Sequence, residues 1–318
     1  MLRIGLHSRI HPFEELDIAD KDLPVLFRKT PSMSGEVTRD YNGNAMQTTN
    51  YHTTMTIAMD WPTIDNNLFA DINNVYYECS KSNNYVSVIE NDLWILVPSV
   101  VYERGFYQSQ VQSLAIYTTS VPTAGVTSYN GIYRIFTTTH VSVANKYASH
   151  TFYFSLTHVN MYPFTGTENY FDINIVDNLT ISYIGYGYGQ TVYGCQLYAW
   201  NNKVTRWDLL GINTARASNV STRGLIVKTL RRQDNLTDYV VGSANNAKMY
   251  IQARAGYGAV SPYNSAVNSD YIRVVANNYL CKFKEDLPVD ALEFSNGYPI
   301  FGPRLSLQLI EAADVIGD

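Results

Sequence analysis

Apolar and polar residues alternate with period two along most of the chain from about residue 51. In Thr54 to Met59, Met55, Ile57 and Met59 alternate with Thr54, Thr56 and Ala58. The same pattern runs through Thr151–Val159, Tyr170–Val176, Ala247–Ala255 and Arg304–Ile310. Alternation of this kind places one face of a strand on a core and the other outward. Ten further segments read as strands: Val75–Cys79, Tyr85–Glu90, Leu93–Val97, Val111–Thr119, Ile132–Thr139, Leu179–Tyr186, Thr191–Trp200, Leu225–Leu230, Tyr271–Val275 and Tyr279–Phe283. Asn-Asn and Asn-Gly pairs punctuate them at 66–67, 73–74, 83–84, 130–131, 201–202, 245–246, 277–278 and 296–297. Helical candidates are few: Phe13–Ile18 after Pro12, Arg206–Leu210, and Pro288–Phe294. Asn201–Gly224 is polar and reads as a long loop or linker.

Many short strands without interleaved helices exclude a parallel α/β sheet and predict sandwiches or barrels. The 318 residues suggest about two domains. We expect an all-β chain with an N-terminal arm at 1–45, where charge is dense but balanced, and two sandwiches at 46–166 and 167–318. The boundary is placed in the turn-rich stretch Met161–Thr167.

Composition sharpens this picture. Charged residues make up 16% of the chain, while Tyr contributes 26, Asn 28 and Thr 26 residues. Tyr and Thr suit half-buried pleated surfaces, and Asn suits turns. Low charge with abundant Tyr also suits surfaces covered by neighbours. The net charge of −5 argues against a protein whose main task is neutralising nucleic-acid phosphate. Met1–Phe13 has no apolar run and no small-residue cleavage site, so no secretory signal is expected there. No stretch approaches the roughly 20 apolar residues of a membrane-spanning helix. The sequons at Asn178, Asn219 and Asn235 are no more than chance supplies in a chain this rich in Asn, Ser and Thr.

Candidate chemistry is sparse. Cys79, Cys195 and Cys281 are odd in number and widely spaced, which predicts three small buried thiols rather than a disulfide framework or zinc site. His7 and His11 have helical i, i+4 spacing but no Glu between them to complete a zinc-protease pattern. His150 and His158 flank one strand about 26 Å apart at ~3.3 Å per residue and read as surface or rim histidines. Asp60, Asp65 and Asn66 share one loop and are weak calcium candidates, as are Asp172, Asn174, Asp177 and Asn178. Arg231-Arg232 reads as a solvated strand end. Ile184–Gln190 (IGYGYGQ) reads either as a ligand-facing aromatic loop or as a bent strand end where glycine admits another backbone. No catalytic, cofactor-binding or metal-binding residue is assigned, and no enzyme activity or cofactor is expected.

The length, strand number, N-terminal arm and Asn/Tyr/Thr-rich composition resemble the double jelly-roll major capsid proteins of tailless, icosahedral, lipid-containing bacteriophages. The resemblance covers residues ~45–318 at the level of architecture and carries no residue-level motif. It implies two tandem eight-stranded jelly-roll sandwiches and a homotrimer forming a pseudo-hexagonal tile. Implied partners are neighbouring trimers in the shell, minor or vertex capsid proteins, and an internal lipid membrane met through the termini, with no direct nucleic-acid contact. The protein would be made in a host cytoplasm and reside in the virion. Two alternatives stand beside this: a carbohydrate-binding or carbohydrate-cleaving β-sandwich, and a viral receptor-binding or fibre protein.

Overall fold

A computed structural model of the chain describes residues 2–7, 14–33, 37–39, 45–47, 53–62, 64–80, 84–90, 95–107, 114, 120–123, 125–127, 134–140, 146–156, 176–189, 194–214, 224–232, 235–242, 247–255, 263–284, 294–295, 298–299 and 305–311. Residues 1–90 supply β1 (Leu2–His7), β2 (Glu14–Ile18), β3 (Leu26–Met33), β4 (Val37–Arg39), β5 (Ala45–Gln47), β6 (Thr53–Trp61), helix α1 (Asn66–Ser80) and β7 (Tyr85–Ile89). Next come β8 (Ile95–Leu96), β9 (Val100–Tyr107), β10 (Ser120–Val121), β11 (Arg134–His140), β12 (Lys146–Ser155) and β13 (Asn178–Gly189). They are followed by β14 (Cys195–Asn201), β15 (Arg206–Asn213), β16 (Leu225–Arg231), β17 (Lys248–Ala255) and β18 (Tyr263–Ala276). The remaining strands are β19 (Asn278–Phe283), β20 (Phe294–Ser295), β21 (Tyr298–Pro299) and β22 (Leu305–Glu311). The expected all-β character therefore holds, with several antiparallel sheets and one α-helix among the described residues.

The chain divides into two compact units, residues 1–90 with 279–314 and residues 91–278 with 315–318. The first is built on a seven-stranded sheet in the order β2-β1-β7-β19-β22-β6-β3. Its core gathers Ile4, Ile57, Met59, Trp61, Val86, Val88, Cys281 and Leu309, and α1 adds Ile72, Val75 and Cys79. The second unit holds a six-stranded sheet, β10-β9-β12-β17-β14-β15, and a five-stranded sheet in which β8 pairs with β18 off the path β11-β18-β13-β16. The inward faces of these two sheets share one core that includes Phe152, Phe154, Leu197 and Ile251 from the first and Leu179, Ile181, Ile272 and Val274 from the second.

The division differs from the expected boundary near Gly166, which lies outside the described residues. The strands of the second unit all fall between β7 and β19, neighbours in the seven-stranded sheet. Residues 1–45 also differ from the arm expected of them. Leu2, Ile4, Leu6 and Ile18 are buried, and β1 pairs with both β2 and β7. The balanced charge noted in this stretch is cross-strand pairing: Arg3 lies opposite Asp17, with 2.7 Å between guanidinium and carboxylate.

Three local expectations are corrected. Phe13–Ile18 was expected as a helical turn, but Glu14–Ile18 is strand β2. Val75–Cys79 belongs to a 15-residue helix rather than a strand. The apolar positions Leu68, Ile72, Val75 and Cys79 recur every three or four residues, so one helical face packs on the core. Asp65 caps that helix, its carboxylate accepting from the Asn67 N–H at 2.8 Å. Arg206–Leu210, expected as a helical turn inside a long loop, lies in strand β15. Val111–Thr119, Tyr170–Val176 and Pro288–Phe294 fall largely outside the described residues.

Candidate functional site

A cluster of chemically capable side chains sits inside the sandwich. β12 and β9 of the six-stranded sheet bring His150 and Glu103 together as direct cross-strand partners. β18 and β13 of the facing sheet supply Ser269 and Tyr183. His150 Nδ1 lies 2.8 Å from Ser269 Oγ, which lies 2.9 Å from the Tyr183 hydroxyl. That hydroxyl is 3.6 Å from Cys195 Sγ on β14. The Glu103 carboxylate stands 3.6 Å from His150 Nε2, longer than a hydrogen bond.

An acid, an imidazole and a serine hydroxyl in this order bring acyl-transfer chemistry to mind. The burial decides otherwise. His150, Ser269 and Tyr183 are all 0% exposed, so no scissile bond reaches the hydroxyl. Burial pushes the Cys195 thiol up to about 12, against smaller opposing effects of its hydrogen bonds to Tyr183 and the Gln196 backbone. It is therefore a protonated thiol at neutral pH and no nucleophile. The chain of contacts ties one sheet to the other through buried polar groups. His150 is thus an interior residue, not the rim histidine expected, because its strand position shares the inward face with Phe152 and Phe154.

The glycine-rich stretch adjoins this tie. A Cβ on Gly185 would lie 2.1 Å from the Tyr183 hydroxyl and 2.5 Å from the Asn268 carbonyl oxygen. One on Gly187 would lie 2.8 Å from the Gly194 carbonyl oxygen and 2.9 Å from Ala255 Cβ. The β13–β18 register shifts between Ile184 and Gly185. Gly194, at φ +99°, donates its N–H to the Gly187 carbonyl at 2.7 Å. Asn213 staples the corner: its side-chain amide donates to the Gly185 and Gly224 carbonyls and its Oδ1 accepts from the Cys195 N–H. Of the two readings of this stretch, the described part, Ile184–Gly189, fits the close approach of another backbone.

The other candidates disperse. His7 ends strand β1, and His11 and His158 lie outside the described residues. Asp65 is engaged in capping α1, and among the described residues no group of three or more His, Cys, Asp or Glu is placed to hold a metal ion. Asp172 and Asn174 lie outside the described residues. Asn178 Oδ1 accepts from the Asn278 N–H at 3.1 Å, a turn-forming role. Arg231 is buried rather than solvated, while exposed Arg232 donates to the Val176 carbonyl at 3.0 Å. The three cysteines are free and buried.

The outward face of the six-stranded sheet had no signal beyond alternation in the sequence. Tyr102, Thr151, Gln252, Tyr198 and Leu209 form one cross-strand row. Arg104, Ser149, Arg254, Gln196 and Ile212 form the next. Gln252 donates to Thr151 Oγ1 at 2.7 Å, and the Arg254 guanidinium lies 4.0 Å from the Tyr198 ring centroid. The Tyr153 and Tyr250 rings lie 5.6 Å apart, and Trp200 meets Trp207 edge to face at 5.5 Å. No carboxylate occupies an outward position of this face among the described residues.

Where the hairpin between β14 and β15 turns, Asp208 accepts from Asn201 at 2.8 Å, Arg206 at 2.8 Å and Tyr239 at 3.2 Å. Burial alone would raise its pKa, but these three bonds and the Arg206 charge hold the carboxyl below its ordinary value. Burial and the Asp208 charge together push the Tyr239 hydroxyl up to about 12. These shifts belong to a hairpin lock. No protein-family model matches the chain, and no curated protein is significantly similar to it.

Proposed function

We propose that the chain is a structural protein, a viral major capsid protein whose copies pack side by side into a shell. The observation that carries this reading is a strand order. The eight consecutive strands β11–β18 divide between two sheets, β11-β18-β13-β16 and β12-β17-β14-β15, changing sheet at every step except the β14–β15 hairpin. A chain that folds an eight-stranded antiparallel ribbon over on itself produces this interleaving, so the order supports a jelly roll in residues 91–278. Jelly rolls serve in capsids, lectins and cupins alike, and the fold alone does not choose among them. On the outward face described above, Ser149, Thr151, Gln252 and Arg254 are already buried within the chain, while Tyr102, Tyr153, Tyr198 and Tyr250 are half-buried and Leu209 and Ile212 are exposed. The half-buried tyrosines and the exposed apolar pair favour assembly, being suited to burial against protein. In this reading the functional unit is a homotrimer in a virion, and the unit made of residues 1–90 and 279–314 supplies the second element of the tile.

Negative-stain imaging of the purified chain tests the reading. Trimeric tiles, sheets or closed particles are expected. Featureless particles of monomer size at every concentration, together with binding to a glycan panel, would overturn it in favour of a carbohydrate-binding sandwich.

A further inference from the structure

Where β12 begins, the two sheets of the sandwich come within hydrogen-bonding distance. Ala148, one residue beyond the described β12–β17 ladder, donates its N–H to Ser265 Oγ on β18 at 3.0 Å. A backbone donor of one sheet is thus satisfied by a side chain of the other. The inward positions of this seam are small and buried: Ala148, Ala253, Ala255, Ser265 and Ser269. A Cβ on Gly187 would meet Ala255 Cβ at 2.9 Å, so the sheets pack here without room for a larger side chain. The imidazole of His150 stands in this seam and has no exposed surface.

The hydrogen bonds decide which form of that ring fits. With its proton assigned to Nε2, toward Glu103, the neutral ring accepts at Nδ1 from the Ser269 hydroxyl, which accepts from Tyr183, which accepts from the Cys195 thiol. A charged ring donates at Nδ1 too, so Ser269 and Tyr183 turn their protons the other way. That reversed chain ends on Cys195 Sγ, a weak acceptor 3.6 Å from the Tyr183 hydroxyl. Glu103, the cross-strand neighbour, favours the charge but stands beyond hydrogen-bond distance, and burial opposes the charge. The remaining ionisable neighbours come from other strands. β18 carries Asp270, an extra residue opposite the step from Ile184 to Gly185, which is buried and has contacts of its own. β11 places Arg134 opposite Ser269. β17 places Ala253 opposite His150, and Arg104 and Arg254 lie on the outward face.

We propose that this seam is an acid-sensitive latch: the neutral imidazole of His150 holds the sheets together, and its protonation lets them part at this end. The latch works within one chain and does not depend on the assembly reading. The unfolded chain takes up the proton near the ordinary value of ~6.5, whereas the closed seam resists it. The contribution of the seam is therefore complete above that pH and lost as pH falls below it.

Cys195 reports the opening, since its thiol lies at the far end of the chain of contacts. The full-length protein is labelled with a dipyridyl disulfide, which reacts with thiols in mild acid; labelling is mapped to each cysteine and normalised to the denatured chain. Between about pH 7.5 and about pH 5, labelling of Cys195 is expected to rise about tenfold or more, while Cys79 and Cys281, buried in the other unit, do not follow. His150→Asn keeps a polar group near the Nδ1 position and removes the titration. It is expected to abolish the rise, with His150→Gln in its place if that variant does not fold. Labelling of Cys195 that is independent of pH, a rise that survives in the variant, or a wild-type midpoint below about pH 4.5, where carboxylates such as Asp270 titrate, overturns the latch.

Discussion

At the scale of single residues, the sandwich is held by side chains placed where only one residue type fits. Gly185 admits the Tyr183 hydroxyl that links Ser269 to the rest of the tie. Gly185→Ala is expected to cost about 2 kcal/mol through overpacking, read as a lowered midpoint in denaturant. Tyr183→Phe in the same chain should recover part of that loss, since the closest of the three atoms is then gone while the ring Cζ and the Asn268 carbonyl oxygen, each at 2.5 Å, remain. No recovery would mean that the hydroxyl is not what excludes a side chain at 185. Asp208 gives a pH signature. Its folded pKa lies below the unfolded value near ~3.9, so its contribution is present above about pH 4 and fades as pH falls through the folded value. Asp208→Asn should therefore be less stable than wild type at pH 6, with the gap closing toward about pH 2 in urea titrations. A gap that stays constant across this range would sink the assignment. The glycine stretch could be read from the sequence as a backbone approach because a phosphate loop needs a helix after it and strand residues follow. The tie of His150 to Ser269 could not: its members are 119 positions apart, and no local pattern pairs them.

Elements were legible where one side of a strand is apolar and the other polar over enough residues. β6, β12, β17 and β22 obey that rule and appear where alternation places them. β15 does not, for two physical reasons. It carries Leu209 and Ile212 on its outward side, and the register shift opposite Leu197 and Tyr198 sets Leu210 out of phase. Adjacent apolar residues with a three-residue gap then imitate a helical turn. The helix α1 was misread in a window too short to reveal its period: Val75–Cys79 alone looks like strand, whereas Leu68–Cys79 shows a helical face. Its N-terminus gives a direct check. Asp65→Ala should destabilise the protein by about 1 kcal/mol through loss of the cap, with the largest rise in amide exchange in the first turn after Asn66. Uniform exchange changes, or none, would mean that the cap is not holding that end. Pro31 in β3 is consistent with that strand's place at a sheet edge, where a missing N–H is tolerated.

At the scale of the whole molecule, the chain separates into units by nesting. β1, β2, β3, β6 and β7 join β19 and β22 in one sheet although 188 residues, 91–278, lie between the two sets. Alternation tells which segments are strands, but every strand in a sheet looks alike to that test, so pairing across such a distance leaves no mark in the sequence. The all-β class was readable; the nesting was not. Because the described residues of the core of 91–278 all lie within that range, the excised segment 91–278 should unfold cooperatively on heating, with a near-ultraviolet signal from Trp200 and Trp207. A fragment that melts without a transition would show that the sandwich depends on the rest of the chain. The central claim is that copies of this chain exist to bury one another. Sedimentation velocity of the purified full chain measures that most directly. Three chains of 35.9 kDa make a species of about 108 kDa; the account predicts this species or larger multiples of it at micromolar concentration. A single boundary at the mass of one chain, unchanged over a hundredfold range of concentration, would contradict it.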